Sequence, residues 1–257
     1  MPLFLPPRAL LPSLAAGLLS SCSLTVKQPY RPAETPVLAG KSAAPGALRE
    51  ARAVLAKLDA ERTAFMRSGD AAKIFSVYYR HVTSAILDKA AEGSLVEPGA
   101  ILGMVCDFYA VYRQNQDPRH RSAHWQPYYD LVNGSGRPDF KTGRAVIQRG
   151  VTAHIDYDLP PIIIRALQRH QELQANGAAR LKRAMDDLSS LFLPCSRLGM
   201  EDLARVLPGA PGPQSLAFQS RVGYAIILHK RERAWREAMR ALATMEPSPA
   251  TSSRRPL

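Results

Sequence analysis

Apolar residues recur along most of the chain at spacings of three and four, and strict alternation of apolar and polar positions is nearly absent. That is the period of helices with one buried face, not of strands. Between 47 and 68, Leu48, Ala51, Leu55, Leu58 and Phe65 fall on one side. Between 70 and 91 the pattern repeats through Ile74, Val77, Tyr78, His81, Val82, Ala85 and Ile86, with Asp70 placed to cap the start and Gly93 to end it. Residues 97–114, EPGAILGMVCDFYAVYRQ, have Pro98 in the first turn and apolar residues on nearly every face, which predicts a buried helix.

Residues 115–141 mix turn formers with aromatics and predict a long connection holding one short helix near 125–132. Helix is predicted again over 142–157, 160–175 and 177–192, and briefly within GMEDLARVL, 199–207. Pro208 to Pro213 form a loop before a last long helix, 214–244. Its apolar stripe is expected to hold Val222, Ile226, Leu228, Trp235, Met239 and Leu242. Its Lys230, Arg231, Arg233, Arg236 and Arg240 are expected on a solvated face, where cations near a helix C-terminus are favoured. The fold class is therefore all-α: a single domain of about seven to eight helices over 46–245.

The ends read differently. The chain opens MPLFLPPRALLPSLAAGLLSSCSL, with an apolar run from Ala9 to Leu19 and then Leu19-Ser20-Ser21-Cys22. An apolar core followed by small residues reads as a secretory signal over 1–21. The final four residues resemble the lipobox of bacterial lipoproteins. The resemblance implies a Cys22 that becomes the first mature residue and carries acyl chains, several of which anchor stably. Ser23 stands where an inner-membrane retention signal has Asp, which by the same resemblance points to the periplasmic face of the outer membrane of a Gram-negative cell. Residues 22–45 are rich in Pro, Ala and small polar residues and read as a flexible tether; 246–257 read as a disordered basic tail. Within the body, no window of about 18 apolar residues suggests a membrane span.

Charge changes the picture modestly. The formal net charge of +12 favours anionic partners such as lipid headgroups or acidic polymers. No Lys/Arg run with interleaved aromatics marks a nucleic-acid track. No Gly-rich phosphate loop, dinucleotide fingerprint or Gly-x-Ser-x-Gly elbow occurs. Cys106 and Cys195 lack zinc-finger spacing; a disulfide between them and two free thiols both remain open.

One stretch concentrates polar groups among apolar ones: GVTAHIDYDLPPIIIRAL, 150–167. Pro160 and Pro161 predict that one helix ends near 156–158 and another begins at 159–161, with Asp158 as its cap. If the first helix instead reaches 158, His154 and Asp158 share a face at i, i+4. A His oriented by a carboxylate suits a metal ligand or a general base; it also suits a structural pin between helices. Asp156 is expected to point elsewhere. Asp107, inside MVCDFYAVY, must be paired or neutral, and a His or Arg on another helix is its expected partner. His81 and His124 are the remaining candidates, His124 standing next to Trp125.

The segments IFSVYYRHVTSAI (74–86), HWQPYYDL (124–131) and VTAHIDYDLPPIIIRAL (151–167) together resemble an uncharacterised bacterial all-helical family. Its pattern has a Val-Thr helix rich in aromatics, a Trp-x-Pro-aromatic element and Ala-His-Ile-Asn-x-Asp-Leu-Pro. The resemblance spans roughly 50–190 and implies Trp125, His154 and Asp158 as the shared positions; Asp156 stands where that family usually has Asn. The His-x-x-x-Asp spacing is also similar to helical zinc phospholipases C and single-strand nucleases. That similarity implies a divalent metal, zinc, at His154 and Asp158, and phosphoester hydrolysis; His81 and Asp107 are the sequence's own candidates to complete the ligand set. The leading expectation is a lipid-anchored body that binds a ligand or protein partner; the alternative is that metal-dependent hydrolase.

Overall fold

The computed structural model describes residues 45–169 and 176–245. The signal, the tether, the lipidation position Cys22 and the basic tail lie outside the described residues. Among the described residues every regular element is helical. The helices are α1 (Pro45–Ser68), α2 (Ile74–Ala91), α3 (Pro98–Gln116), α4 (Gln126–Gly134), α5 (Phe140–Thr152), α6 (Leu159–Arg169), α7 (Gly177–Asp187), α8 (Ser189–Val206) and α9 (Pro213–Met245). No described helix is long and apolar enough to cross a membrane.

Helix α2 is the hub. It packs against α1 and α8 over much of its length and against α5 near its start. Ten of its residues are buried, which follows from apolar positions spread around most of its circumference. Asp70 does cap the entry: its carboxylate accepts from the Ala72 N–H at 2.9 Å, closing the short turn that feeds α2. Gly93 leaves the helix with φ +71°, a conformation that costs a residue with a Cβ dearly.

Close helix contacts depend on two glycines. A Cβ on Gly150 of α5 would stand inside the Phe75 ring of α2, and one on Gly143 would overlap the Leu207 side chain. Both are packing glycines, chosen because nothing larger fits.

The structure departs from the sequence reading in three places. First, no helix break occurs at the double proline. Chain 140–169 is helical throughout, and residues Ala153–Asp158 form a π-helical turn between α5 and α6. The Leu159 N–H donates to the His154 carbonyl, five residues back. In an α-helix the rings of Pro160 and Pro161 would press on the carbonyls four residues earlier and leave them without donors. The wide turn relieves both demands, and π-turns of this kind cluster at functional positions.

Second, the helix expected over 177–192 ends at Asp187, and α8 starts at Ser189 and runs through Pro194. Pro194 lies near that start, so its missing N–H removes a single intrahelical bond. Third, the buried face of α9 is only partly the stripe expected, with Trp235 and Met239 half-buried against the core. Ile227, Ala234 and Ala238 are buried, while Val222 and Ile226 are exposed. Small alanines, not the larger apolar residues, let α9 approach the body.

Candidate functional site

The π-turn carries three buried polar side chains, His154, Asp156 and Asp158. Asp158 is the centre. It does not cap α6. Its carboxylate turns toward the start of α4, where the helix dipole favours negative charge. Oδ2 accepts from the indole N–H of Trp125 at 3.0 Å and lies 3.4 Å from Nδ1 of His154; Oδ1 is 2.9 Å from Nε2 of His124. Three positions singled out in the sequence therefore meet on one carboxylate that is 3% exposed.

Each partner sits differently. Trp125 is wholly buried, edge-on to Phe75 at 5.5 Å between centroids. His124 is partly open to solvent. It stacks on the exposed ring of Tyr157, with centroids 4.8 Å apart, and also meets Ser122 Oγ at 3.2 Å. His154 is buried against Phe108, centroids 4.2 Å apart, and against Tyr79 and Phe75. With Asp158 as the acceptor, the proton of His154 belongs on Nδ1, an assignment made from the hydrogen-bond network. Nε2 is then an acceptor, and it makes no hydrogen bond with any described residue.

His154 borders a cavity of about 110 Å³ lined mainly from α2, α3, the π-turn, α8 and α9. Its walls are almost wholly apolar, including Val105, Phe108, Ile155 and Phe192. Three wall groups break that surface. One is the His154 imidazole. The second is Thr83, whose buried hydroxyl has no hydrogen-bond partner. The third is Arg231, which donates to Ser189 Oγ at 2.9 Å and to the Met185 carbonyl, and lies over the Phe192 ring. No carboxylate among the described residues pairs with Arg231, and burial pushes its guanidinium down to about 10.

Arg231 was expected in solvent and is instead at the cavity wall. The signal was present: 227, 231, 234 and 238 recur at helical spacing, and the other three are the buried face. Lys230 is also drawn in. It and Arg233, the latter at 2.7 Å, pair with Oδ2 of Asp156, joining the π-turn to α9. Asp156 thus points away from His154 and Asp158. An Asn there would leave both cations without a counter-charge.

The other candidates lie in separate pairs. His81 Nε2 is 2.8 Å from Asp202 Oδ2, and Asp202 also takes both a 2.7 Å and a 2.8 Å bond from Arg62. Burial pushes the Asp202 carboxyl up, but the hydrogen bonds from His81 and Arg62 outweigh it and hold the group well below the usual carboxylate range. Nothing in GMEDLARVL distinguished Asp202 beforehand. Asp107 pairs with Arg169 of α6 at 3.0 Å, the kind of partner expected for it on another helix. Cys106 and Cys195 are free thiols, and burial pushes Cys195 up to about 11.

A divalent metal does not fit this arrangement. Among the described residues no group of three or more His, Cys, Asp or Glu is set to hold one. His81 and Asp107 do not join His154, and both oxygens of Asp158 face N–H donors, one of them an indole that can only donate.

Residues 51–256 match the model of a family of unknown function, DUF5995. No curated protein and no solved structure matches the chain.

Proposed function

The chain belongs to this family of unknown function, and from the geometry of its site we propose that the helical body holds a small apolar ligand carrying one hydrogen-bond donor. The observation that carries the reading is Nε2 of His154: an oriented acceptor without a partner among the described residues, on the wall of a largely apolar cavity. The ligand's O–H or N–H would donate to it, and the apolar body would fill the space. The cavity's 110 Å³ is on the scale of the roughly 150 Å³ engineered cavity that takes benzene. The Asp158 contact fixes the acceptor before the ligand arrives, so little ordering is lost on binding.

The site would be presented at a membrane by acyl chains on Cys22, on the periplasmic face of the outer membrane. Mass spectrometry of the envelope fraction tests that half of the reading; a Cys22 without acyl groups ends it.

Phenol and toluene test the cavity, because they share a shape and differ in the donor. Calorimetric titration of the full chain should show phenol binding about 5- to 10-fold tighter, the worth of a net hydrogen bond of roughly 1–1.5 kcal/mol. His154→Phe should erase the difference. Equal affinities for the two in the unsubstituted chain, or no binding of either, would sink the reading.

A further inference from the structure

A second space lies beside the first. Between α5, α8 and the first half of α9 runs a groove of about 320 Å³. It shares Tyr78, Val151 and Ile227 with the inner cavity, so these three side chains stand at the junction of the two. Along its α9 lip, Phe218, Val222 and Ile226 follow one another every four residues and are 66%, 43% and 38% exposed. A row of large apolar side chains left in water is informative in a way that one is not. Arg144 is the one charged residue of the groove lining. It is exposed, its hydrogen bond goes to Gln219 Oε1 at 3.3 Å, and no described carboxylate pairs with it.

We infer that groove and inner cavity together form one site for a fatty acid, with the carboxylate at Arg144 and the chain running past Tyr78 and Ile227 toward His154. The inference rests on the reading that the inner cavity takes an apolar ligand, and it names the ligand class. The path is mainly apolar, Arg144 is the cation at its open end, and the deeper Arg231 is already bonded to Ser189 and the Met185 carbonyl, a layout that matches one anionic head and one unbranched tail. The guanidinium fork is shaped for a carboxylate. The tail would cover the row that α9 leaves in water. The groove volume of about 320 Å³ is at the lower end of small-molecule sites.

Gly223 supplies the test. It lines the groove, and a Cβ there would meet nothing within 4 Å. Gly223→Leu should fill the groove and leave the inner cavity alone. In the full chain, palmitate below its micelle concentration should bind at least a hundredfold tighter than hexanoate, since each buried methylene is worth about fourfold. In Gly223→Leu palmitate should fall to the level of hexanoate, with phenol binding kept. Arg144→Gln should weaken palmitate several-fold and leave hexadecanol unchanged. Palmitate no tighter than hexanoate, or indifferent to Gly223→Leu, overturns the fatty-acid site even where phenol binds. Palmitate bound with the expected sensitivity, but no phenol, would instead remove the inner-cavity reading and leave the groove as a lipid site.

Discussion

Replacing Asp158 by Asn tests whether one carboxylate organises the site. The change keeps shape and removes charge. Asp158 is buried and faces three N–H-bearing rings, Trp125, His124 and His154. Hydrogen bonds to a charged partner contribute roughly 1.5–3 kcal/mol each. An Asn can still accept from Trp125 through its one carbonyl oxygen. Its NH₂ must then face His124, which has to become the acceptor by moving its proton to the other nitrogen. Charge assistance is lost from two short bonds, and the long contact to His154 weakens. The sum is a loss of about 3 kcal/mol, or a melting temperature lower by roughly 6–12 °C for a chain of this size. Trp125→Phe keeps most of the ring packing and should cost about 1–2 kcal/mol. The double variant should lose less than the two single losses combined, by about 1 kcal/mol, because both remove the same bond. Urea and thermal unfolding followed by circular dichroism give all three values. A loss under 1 kcal/mol for Asp158→Asn, or strict additivity in the cycle, would refute the claim that this carboxylate holds the site together.

Three further outcomes follow from the same structure. Asp202 has a depressed folded-state pKa, so its stabilisation should be complete above the unfolded value of about 3.9 and drain away as pH falls below it. Asp202→Asn should cost roughly 3 kcal/mol at pH 7 and flatten that acid limb; an unchanged limb in pH-dependent denaturation would contradict the assignment. Two glycine-to-alanine changes within helices should have opposite signs. Gly150→Ala should destabilise by about 1–3 kcal/mol because the methyl meets Phe75, and Gly223→Ala should stabilise by up to about 1 kcal/mol through helix propensity; melting temperatures that move together would count against the packing described. Asp156→Asn should lower stability by about 2 kcal/mol, since Lys230 and Arg233 lose their shared counter-ion, and Lys230→Met in the same chain should recover part of it; no recovery would mean the pair is not coupled.

The helices and the pairing of His154 with Asp158 were legible because both rest on local rules, whereas the arrival of Trp125 and His124 on the same carboxylate depends on tertiary packing. Three-four spacing reports a buried face, and i, i+4 spacing brings His154 to Asp158. What could not be read depends on the third dimension. Two prolines in a row argue for a helix break, and nothing in the residues alone announces a wide turn as the cheaper solution. The register of α9 failed in part for a related reason. Periodicity weighs large apolar side chains most, yet close approach selected Ala234 and Ala238, and that choice rotated Arg231 inward and Val222 and Ile226 out. Asp202 escaped notice because two of its partners, His81 and Arg62, are far away in sequence and near only once α1, α2 and α8 have packed, while its third, Arg205, is an ordinary i, i+3 pair on α8.

The wide turn at 153–158 also sets the phase of everything after it. An α-helix advances about 100° per residue, and the extra residue held in this turn decides which way α6 faces. Removing any one residue from the stretch would let the rod close into ordinary α-helix. The rings of Pro160 and Pro161 would then press on the carbonyls four residues back, and Ile162 and Ile163, now fully buried, would swing off the core. Single-residue deletion here should therefore be far more damaging than substitution at the same positions. The segment tolerates changes of letter better than changes of count, as a gear tolerates wear on a tooth better than the loss of one.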